Sequence, residues 1–311
     1  MAILIELGKL KTIVNGTFLE NEPMKKHTSY GIGGPANAYI IPKDIDEISK
    51  ILSFCNKNQI PTYFIGSGSN LLVSDNGFNG VILTPNKVLK KLYFTKNKVV
   101  AESGVMLGKL VKECIKKKFT GLESLVGVPG TLGGALVMNA GAFGHEISNY
   151  ILSVEVMKMN GDVQTLNNSE IDFSYRFSTF KRDQFILQAT FEFPKGFSKE
   201  IQKNRMKASQ GRKSSQPLRF RSAGSVFKNP VEYPAGYLID KAGLKGTRVG
   251  DAEISNHHAN FFINHGNAKA MDIIELIRLT RKKVYKKFGI KLDLEIKTIG
   301  FKKKDLNHYE A

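Results

Sequence analysis

Two glycine-rich stretches of this chain have the composition of a phosphate-binding site. They are GSGSN at 66–70 and GVPGTLGGALVMNAG at 127–141. Consecutive backbone N–H groups in glycine-rich turns form concave surfaces that bind anions. Hydroxyl and amide side chains add further hydrogen-bond donors, from Ser67, Ser69, Asn70 and Thr131. The pattern favours a bound diphosphate over two merely structural turns.

These stretches do not match the common nucleotide-binding loops. A Rossmann fingerprint requires a third glycine at position 71, where the chain has Leu71, and a helix should follow. The residues after Asn70 have the character of a strand instead. A third stretch, GVMLGKL at 104–110, is one residue short of a P-loop, and Leu110 replaces the serine or threonine that binds magnesium. A Rossmann fingerprint, a kinase and a nucleoside triphosphatase are therefore excluded.

Three histidines close together in the sequence raise the question of a metal site. His257, His258 and His265 do not have the spacing of any zinc motif. The sequence therefore predicts no bound metal.

The composition is that of a globular protein, and its positive charge leaves the kind of partner open. The 311 residues suffice for two or three domains. The net charge of +18 suits a phosphate-rich ligand or a nucleic acid, but the lysines are scattered and do not alternate with aromatics. We therefore expect no bound nucleic acid, and a lysine-rich surface exposed to solvent is the alternative explanation of the charge.

No apolar run reaches eighteen residues, and the start lacks a secretion signal, which predicts no membrane insertion. Cys55 and Cys114 form no paired motif, which fits a reducing cytoplasm.

Hydrophobic periodicity predicts a mixture of helices and strands. Helices are expected at 44–60, with Asp44 as the N-cap, and at 107–119, 198–216 and 268–288, the last ending at Gly289. Strands are expected at 62–65, 71–73, 183–193 and 292–301, and a hairpin at 150–166 turning at Asn160 and Gly161. Because these elements do not alternate regularly, the predicted class is α+β.

Seven motifs resemble one enzyme family when taken together and in order. The stretches TSYGIGGPA (28–36), GSGSNLLVSDNGFNGVIL (66–83) and GLESLVGVPGTLGGALVMNAGAFG (121–144) resemble the FAD-binding domain of the vanillyl-alcohol-oxidase, or PCMH, type. Four further motifs restrict the resemblance to one family among the proteins with this domain. They are SYRFSTF (174–180), SAGSVFKNP (222–230), HANFFIN (258–264) and LDLEIKTIGF (292–301). The whole set is similar to the UDP-N-acetylenolpyruvoylglucosamine reductases, the MurB family of peptidoglycan synthesis.

The resemblance implies a domain organisation. A two-lobed FAD-binding domain is expected at 22–195, split near 80–85, and a smaller α+β substrate-binding domain at 196–301. Residues 1–21 and 302–311 would be terminal extensions. The short passage from FKNP to AGYLIDKAG indicates the shorter family form, which lacks an inserted substrate loop.

The resemblance also implies the reaction. NADPH reduces a non-covalently bound FAD, and the reduced flavin then converts the enolpyruvyl ether of UDP-N-acetylglucosamine to the lactyl ether of UDP-N-acetylmuramate. The expected partner is thus a nucleotide-sugar. The expected assembly is a monomer or a weak oligomer in the cytoplasm.

Three catalytic residues are carried over from the family motifs. Arg176 in SYRFS matches the catalytic arginine, whose planar, permanently charged group suits a carboxylate that gains charge. Ser225 in AGSVFKNP matches the proton donor to the adjacent carbon. Glu295 in LDLEIK would hydrogen-bond the substrate carboxylate or help protonation, with a raised pKa. The local sequence alone would make them a surface arginine, a turn serine and a solvent-facing strand residue.

The remaining site residues are expected to hold the flavin and the substrate. The flavin contacts are expected at Gly66, Ser67, Gly68, Ser69, Asn70, Gly127, Pro129, Gly130, Thr131, Gly133, Gly134, Asn139, Ala140, Gly141 and Arg212. Lys213, Asn229 and His258 fall where the family contacts the nucleotide-sugar. Phe143 stands where many members carry tyrosine, which removes one hydroxyl from the expected pocket.

Three alternatives stay open at the level of sequence. Another FAD-dependent oxidoreductase with the same fold would share the glycine stretches but lack Arg176, Ser225 and Glu295 in their motifs. A nucleic-acid-binding protein would use the positive charge and carry no flavin. An inactive flavin-binding regulator is disfavoured by the intact catalytic motifs.

Overall fold

The computed structural model describes residues 2–142, 144–181 and 183–306. The α-helices in this part of the chain are α1 (Ala2–Ile13), α2 (Ile45–Lys57), α3 (Leu107–Lys116), α4 (Leu132–Val137), α5 (Ser198–Ser215), α6 (Ala235–Lys241), α7 (Ala270–Phe288) and α8 (Lys303–Leu306). The strands are β1 (Thr17–Pro23), β2 (Pro35–Ile41), β3 (Thr62–Phe64), β4 (Leu71–Val73), β5 (Phe78–Leu83), β6 (Leu92–Phe94), β7 (Lys98–Glu102), β8 (Gly141–Ala142), β9 (His145–Glu146), β10 (Ile151–Lys158), β11 (Val163–Asn167), β12 (Phe173–Ser174), β13 (Phe177–Ser178), β14 (Gln184–Glu192), β15 (Arg248–Val249), β16 (Ala252–Ile254), β17 (Phe262–Asn264) and β18 (Lys297–Ile299).

The chain divides into two compact units, each made of three segments. The first unit comprises the residues up to Asn21, Asn37–Ser67 and Gly80–Arg212. The second unit comprises Glu22–Ala36, Gly68–Asn79 and the chain from Lys213 onward. The predicted boundary near 195 and the split near 80–85 stay predictions.

The first unit contains two sheets, each with its own hydrophobic core. One has the strand order β1-β2-β5-β3, and its core includes Ile40, Ile51 and Leu83. The other has the order β11-β10-β14-β7-β6, and its core includes Leu110 and Phe191. In the second sheet the pairs β10–β11, β10–β14, β14–β7 and β6–β7 are all antiparallel.

Two amphipathic helices of the first unit form where their apolar residues repeat with helical spacing. In α2 the buried side chains include Ile48, Leu52 and Cys55, and the Asp44 side chain accepts a hydrogen bond from the Glu47 N–H at 2.8 Å. The helix ends before the predicted residue 60, because Gln59 has a left-handed backbone with φ of 53°. The predicted helix at 107–119 is confirmed as α3.

The second unit is built around helix α7. Residues Ile273, Ile277 and Val284 of this helix are buried in a core that includes Tyr30, Leu72 and Phe227. Its N-terminus is capped from a distant segment, because the Asp75 carboxylate accepts hydrogen bonds from Ala270 N at 2.9 Å and Met271 N at 3.2 Å. Gly289 ends the helix with φ of 70°, as predicted.

Strand pairing in the second unit connects distant parts of the sequence. Strands β15, β16 and β17 form an antiparallel sheet. Strand β18 pairs in parallel with β4, with Lys297 opposite Leu71 and Ile299 opposite Val73. The segment 68–73, which carries the second half of GSGSN, is thereby bonded to the segment that contains β18.

Most predicted elements are confirmed, and one is corrected. The hairpin at 150–166 forms as β10 and β11, and the strand at 183–193 and the helix at 198–216 form as β14 and α5. The strand predicted over 292–301 is wrong for most of its length, because only Lys297–Ile299 is a strand and Leu294 forms an isolated bridge. No helix within the described ranges is long and apolar enough to cross a bilayer.

Candidate functional site

The two glycine-rich stretches touch within the first unit at Gly66 and Thr131. A Cβ atom added to Gly66 would overlap Thr131 Oγ1, so only glycine permits this approach. The Gly66 carbonyl accepts a hydrogen bond from Asn86 Nδ2 at 2.9 Å. Gly133 N donates to the Ser103 carbonyl at 2.9 Å, which brings a third segment to the same place.

A set of buried polar atoms on or beside the segments that meet the two glycine stretches lacks hydrogen-bond partners among the described residues. They are Ser67 Oγ, Asn86 Oδ1, Ser103 Oγ, Ser124 Oγ, Thr131 Oγ1 and Arg212 Nε. An unsatisfied buried polar atom costs about 1–3 kcal/mol, and such atoms are normally paired in native proteins. Their concentration along the glycine stretches indicates that a polar ligand completes the site.

The position of Thr131 makes its unpaired hydroxyl informative. Thr131 precedes α4 at the N-cap, with extended φ and ψ of −98° and 162°, yet its side chain makes no capping bond. Threonine at this position ordinarily caps the helix. The N–H groups of Leu132 and Gly133 donate to the Val105 and Ser103 carbonyls, so these two donors are used within the protein. The hydroxyl is left for a ligand.

The end of the second glycine stretch holds the hairpin that carries Arg176. Asn139 is fully buried, and its amide nitrogen donates to Glu146 Oε2 at 2.6 Å and to the Ser174 carbonyl at 3.1 Å. Ser178 Oγ donates to the Val137 carbonyl at 2.8 Å. The Asn139 side chain is thus committed to protein partners, and its backbone N–H donates to the Leu136 carbonyl at 3.1 Å.

Arg176 occupies the tip of this hairpin in a strained conformation. Tyr175 and Arg176 form the turn between β12 and β13, and Arg176 has φ of 55°. Non-glycine residues adopt this left-handed region at a cost, and such residues concentrate at functional sites. The guanidinium donates from Nη2 to the Gly141 carbonyl at 3.0 Å and lies 5.0 Å from the Tyr175 ring centre.

Arg212 places a second guanidinium beside the glycine stretch. Its Nη2 donates to the Ser124 carbonyl at 3.4 Å, and its Cδ would lie 3.4 Å from a Cβ on Gly127. Burial, and then the positive charge of Arg176, lower the pKa of Arg212. Two neighbouring guanidinium groups, one partly desolvated, favour an anionic ligand between or beside them.

In the second unit, the rest of the first glycine stretch is bonded to the segment that carries Glu295. Asn70 Nδ2 donates to the Glu295 carbonyl at 3.1 Å, and Lys297 N donates to the Asn70 carbonyl at 2.9 Å. Gly68 has φ of 64° and a Cβ there would overlap the His27 carbonyl oxygen, so this glycine is required by the fold. The Asn70 side chain therefore holds the Glu295 backbone.

Ser225 and Glu295 lie on neighbouring segments of the second unit. Ser225 forms an isolated bridge with Phe261, and the next residue, Val226, donates its N–H to the Asn260 carbonyl at 2.8 Å. Glu295 N donates to the Val226 carbonyl at 2.8 Å. Both side chains are half-buried. The structure thus brings together two of the three predicted catalytic residues through one shared neighbour.

The three predicted substrate residues have different environments. His258 is half-buried, its Nδ1 accepts a hydrogen bond from Asn260 N at 3.2 Å, and burial lowers its pKa. Asn229 is exposed, and its Oδ1 caps helix α6 by accepting from Ala235 N at 3.0 Å. Lys213 is exposed on α5.

The remaining predicted flavin-binding residues lie within the two glycine stretches and differ in exposure and backbone bonding. The backbone at position 130 has φ of 134°, a conformation that favours glycine. Ala140 N donates to the Ala135 carbonyl at 2.8 Å, and its own carbonyl accepts from Ile147 N at 2.9 Å. Pro129 and Gly134 are exposed, and Ser69 is half-buried. Phe143 lies outside the described residues.

The histidines do not gather into a metal-binding group. His265 Nε2 lies 2.8 Å from Glu253 Oε2, and its ring centre lies 5.1 Å from that of Phe220. Within the described ranges, no set of three His, Cys, Asp or Glu residues is arranged to hold a metal ion.

Comparison with known proteins gives the family. The profile of the UDP-N-acetylenolpyruvoylglucosamine reductase C-terminal domain matches residues 216–299, and that of an FAD-binding domain matches 36–167. UDP-N-acetylenolpyruvoylglucosamine reductase of Clostridium novyi is 42% identical over 94% of this chain and 95% of its own length. The reductase of Caldanaerobacter subterraneus is 42% identical over 96% of this chain and 99% of its own length. The crystal structure of the Thermus caldophilus enzyme superposes with a TM-score of 0.79 at 33% identity, covering 91% of this chain and 98% of its own.

The chain belongs to the UDP-N-acetylenolpyruvoylglucosamine reductase family. The predicted resemblance is confirmed, as is the α+β fold with an FAD-binding domain before a C-terminal substrate domain. The chain is accordingly an FAD-containing oxidoreductase of peptidoglycan precursor synthesis that uses NADPH.

The residues of the first unit fit the FAD of this reductase family. The ligand must supply acceptors for the Thr131, Ser67 and Arg212 groups, and a diphosphate does so. The glycines at 66 and 133 let the side chains of Thr131 and Ser103 lie close to the main chain, which gathers these polar groups in one place. We therefore assign these residues as those that would hold the cofactor.

Sequence reasoning did not single out three polar residues beside the glycine stretches. Asn86, Ser103 and Ser124 carry unpaired buried atoms beside the predicted stretches. Ser103 precedes Gly104, and Ser124 lies three residues before Gly127, so proximity to glycine was the available signal. Asn86 lies in a loop whose sequence contains no such signal.

Substitution of Gly66 by alanine is expected to weaken FAD binding. The added Cβ must displace the Thr131 side chain, and overpacking of this kind costs about 1–3 kcal/mol. The dissociation constant should therefore rise by about tenfold or more. Titration of the apoprotein with FAD, followed by flavin fluorescence, measures the change.

Gly108→Ala is the matched control for Gly66→Ala. A Cβ on Gly108 meets no atom within 4 Å, and the residue lies in helix α3. The control should keep wild-type FAD affinity and gain about 0.5–1 kcal/mol in unfolding free energy. Equal FAD affinity of Gly66→Ala and wild type would refute the assigned contact.

Proposed function

We propose that this chain reduces UDP-N-acetylglucosamine enolpyruvate to UDP-N-acetylmuramate with electrons from NADPH. The family match over nearly the whole chain supports the reaction. The observation on this chain that supports the proposal is the hydrogen bond from Glu295 N to the Val226 carbonyl, since it brings the backbone of Glu295 to the residue that follows the predicted proton donor Ser225.

The substrate demands charge stabilisation at a carboxylate. When bound, FAD would supply hydride-transfer chemistry between NADPH and the terminal carbon of the vinyl ether. The electrons displaced in that step flow into the adjacent carboxylate, which becomes an enediolate. Arg176 stabilises this added charge with its permanently charged, planar guanidinium group. The hydrogen bond to the Gly141 carbonyl and the hairpin turn hold that group in position.

Ser225 supplies the proton that completes the reduction. A serine hydroxyl is a weak acid in water, but the carbon adjacent to the enediolate is strongly basic. Its bridge to Phe261 and the Val226 bond to Asn260 hold the serine backbone on both sides. The position of the hydroxyl is therefore set by the main chain.

Glu295 acts on the same carboxylate as a hydrogen-bond partner. A carboxyl beside a substrate carboxylate is driven to its neutral form, because two negative charges repel. In that form it donates a proton in a hydrogen bond and supports protonation by Ser225. Asn70 fixes its backbone from the carbonyl side.

The remaining predicted residues bind the two ligands. Arg212 would pair with the flavin or its diphosphate, with Arg176 close enough to share the negative charge. Burial lowers the pKa of His258, which favours its neutral form, and its Nδ1 accepts a hydrogen bond from Asn260 N. Its Nε2–H can therefore donate to the nucleotide-sugar. Lys213 and Asn229 would contact the same substrate.

The broader setting follows from the same proposal. The enzyme acts in the cytoplasm as a monomer or weak oligomer, without nucleic acid, and holds FAD non-covalently. Acid precipitation should release all of the yellow colour into the supernatant. Flavin that stays with the precipitate would point to a tethered oxidase of related fold.

A two-step absorbance experiment tests the function. Anaerobic addition of NADPH should bleach the flavin absorbance, and the enolpyruvyl substrate should then restore it. The control is UDP-N-acetylglucosamine, which lacks the vinyl ether and should leave the flavin bleached. If the enolpyruvyl substrate restores absorbance no faster than this control, the proposed function is wrong.

A further inference from the structure

The side chain of Asn260 substitutes for a missing piece of β-structure beside Ser225. Its Oδ1 accepts a hydrogen bond from Phe227 N at 3.0 Å, and its Nδ2 donates to the Phe227 carbonyl at 2.8 Å. Asn260 is 2% exposed and Phe227 is fully buried, so water does not replace these bonds. A single amide thus satisfies both backbone groups of Phe227.

This side chain is needed because the segment around Ser225 is not a regular strand. Ser225 and Phe227 form only isolated bridges, with Phe261 and Leu294 respectively. Without the amide, the N–H and C=O of Phe227 would be buried and unpaired, which native structures avoid. Asn260 therefore defines the backbone path two residues after Ser225.

The same residue is linked to Glu295. The Asn260 carbonyl accepts from Val226 N at 2.8 Å, and the Val226 carbonyl accepts from Glu295 N at 2.8 Å. The backbone of Val226 and Phe227 is thus held by Asn260 on one side and carries Glu295 on the other. A shift of Asn260 would move Ser225 and Glu295 relative to each other.

We propose that Asn260 is a positioning residue that sets the alignment of Ser225 and Glu295 through its double hydrogen bond to Phe227. This role rests on the proposed function, in which those two residues act on one substrate. Misplacement of a catalytic group by about 1 Å can cost about 100-fold in rate. Asn260 would therefore control the rate of substrate reduction without touching the substrate.

Stopped-flow measurement of the two half-reactions of the holoenzyme tests this role. Asn260→Ala should leave flavin reduction by NADPH within about twofold of wild type, since none of its bonds holds a predicted flavin residue. Flavin reoxidation at saturating enolpyruvyl substrate should fall by about 10- to 100-fold. Equal slowing of both half-reactions would indicate a merely structural residue and overturn the proposal.

Asn264 provides the matched control. It is also buried, its Nδ2 donates to the Tyr30 carbonyl at 2.9 Å, and its Oδ1 accepts from Gly266 N and Ala268 N at 2.7 and 3.0 Å. Asn264→Ala should lower the melting temperature but change the ratio of the two half-reaction rates by less than about twofold. The same ratio in both alanine variants would overturn the proposal. Wild-type protein that substrate fails to reoxidise would instead refute the proposed function.

Asn260→Asp keeps the test decisive if the alanine variant does not fold. An ionised carboxylate cannot donate to the Phe227 carbonyl, whereas the protonated group can donate and accept as asparagine does. The reoxidation rate relative to wild type should therefore rise as the pH falls. The charged and titratable groups around this amide and Phe227 are His258, Glu295 and Arg281, whose guanidinium lies 6.0 Å from the Phe227 ring centre, and all are present in both proteins. A ratio that stays flat with pH would mean that the bonds to Phe227 do not set the rate.

Discussion

Ser225→Ala should leave the reduction of flavin by NADPH near the wild-type rate and slow reoxidation by the enolpyruvyl substrate by about 10²- to 10⁴-fold. The range is the usual contribution of a positioned general acid. The first half-reaction requires no proton at the substrate carbon, so it should not depend on this hydroxyl. The second ends with that proton transfer, which must then come from solvent.

The structure makes this variant a clean test. Ser225 is held through its backbone, by the bridge to Phe261 and the neighbouring bond from Val226 to Asn260. Removal of the hydroxyl should therefore leave the segment in place. Stopped-flow absorbance separates the two rates.

Ser222→Ala is the control for the serine substitution. Ser222 is also half-buried and lies three residues earlier in the same motif. Its replacement should leave both half-reactions within about twofold of wild type. A loss of Ser225→Ala activity confined to flavin reduction would show that the residue has been misassigned.

Arg176→Lys should lower the reoxidation rate by about 10²- to 10³-fold while the positive charge is retained. A lysine ammonium is a point charge and cannot form the paired hydrogen bonds of a guanidinium. The guanidinium is already aimed by its bond to the Gly141 carbonyl and by the two-residue turn at φ of 55°. A flexible lysine would lose that orientation.

Arg205→Lys controls for a general change of arginine to lysine. Arg205 lies on helix α5 and is exposed. Both half-reactions of this variant should match the wild type in the same stopped-flow experiment. A reoxidation rate of Arg176→Lys equal to that of the wild type would mean that the positive charge alone suffices and that the geometry of the guanidinium is unimportant.

The sequence predicted those elements whose determinants are local. Helices α2 and α7 were predictable because the apolar repeat lies within each element and the cap residues, Asp44 and Gly289, directly flank it. The strand over 292–301 was predicted from alternation, and Leu292 and Ile296 are indeed buried. The pairing is limited to an isolated bridge between Leu294 and Phe227, and Phe227 bonds through its own N–H and C=O to the Asn260 side chain, which alternation does not encode.

The candidate site was predictable where a motif marks it and not where separate segments meet. The glycine stretches stand out by composition, whereas Asn86, Ser103 and Ser124 join them only after folding. Motif matching also cannot tell a ligand contact from a structural bond. Asn70, Asn139 and Asn229 were all predicted to contact ligands, and their side chains bond to Glu295, Glu146 and Ala235 of the protein.

The parallel pairing of β4 with β18 has a consequence for synthesis of the enzyme on the ribosome. Asn70 and Glu295 are 225 residues apart, and Asp75 and the α7 N-terminus are 195 apart. Because the N-terminal part of a chain emerges first, residues 68–75 leave the exit tunnel long before their partners exist. The second unit therefore closes only when the last strand has been translated, and a message truncated before Glu295 yields a chain whose Asn70 and β4 never acquire these bonds.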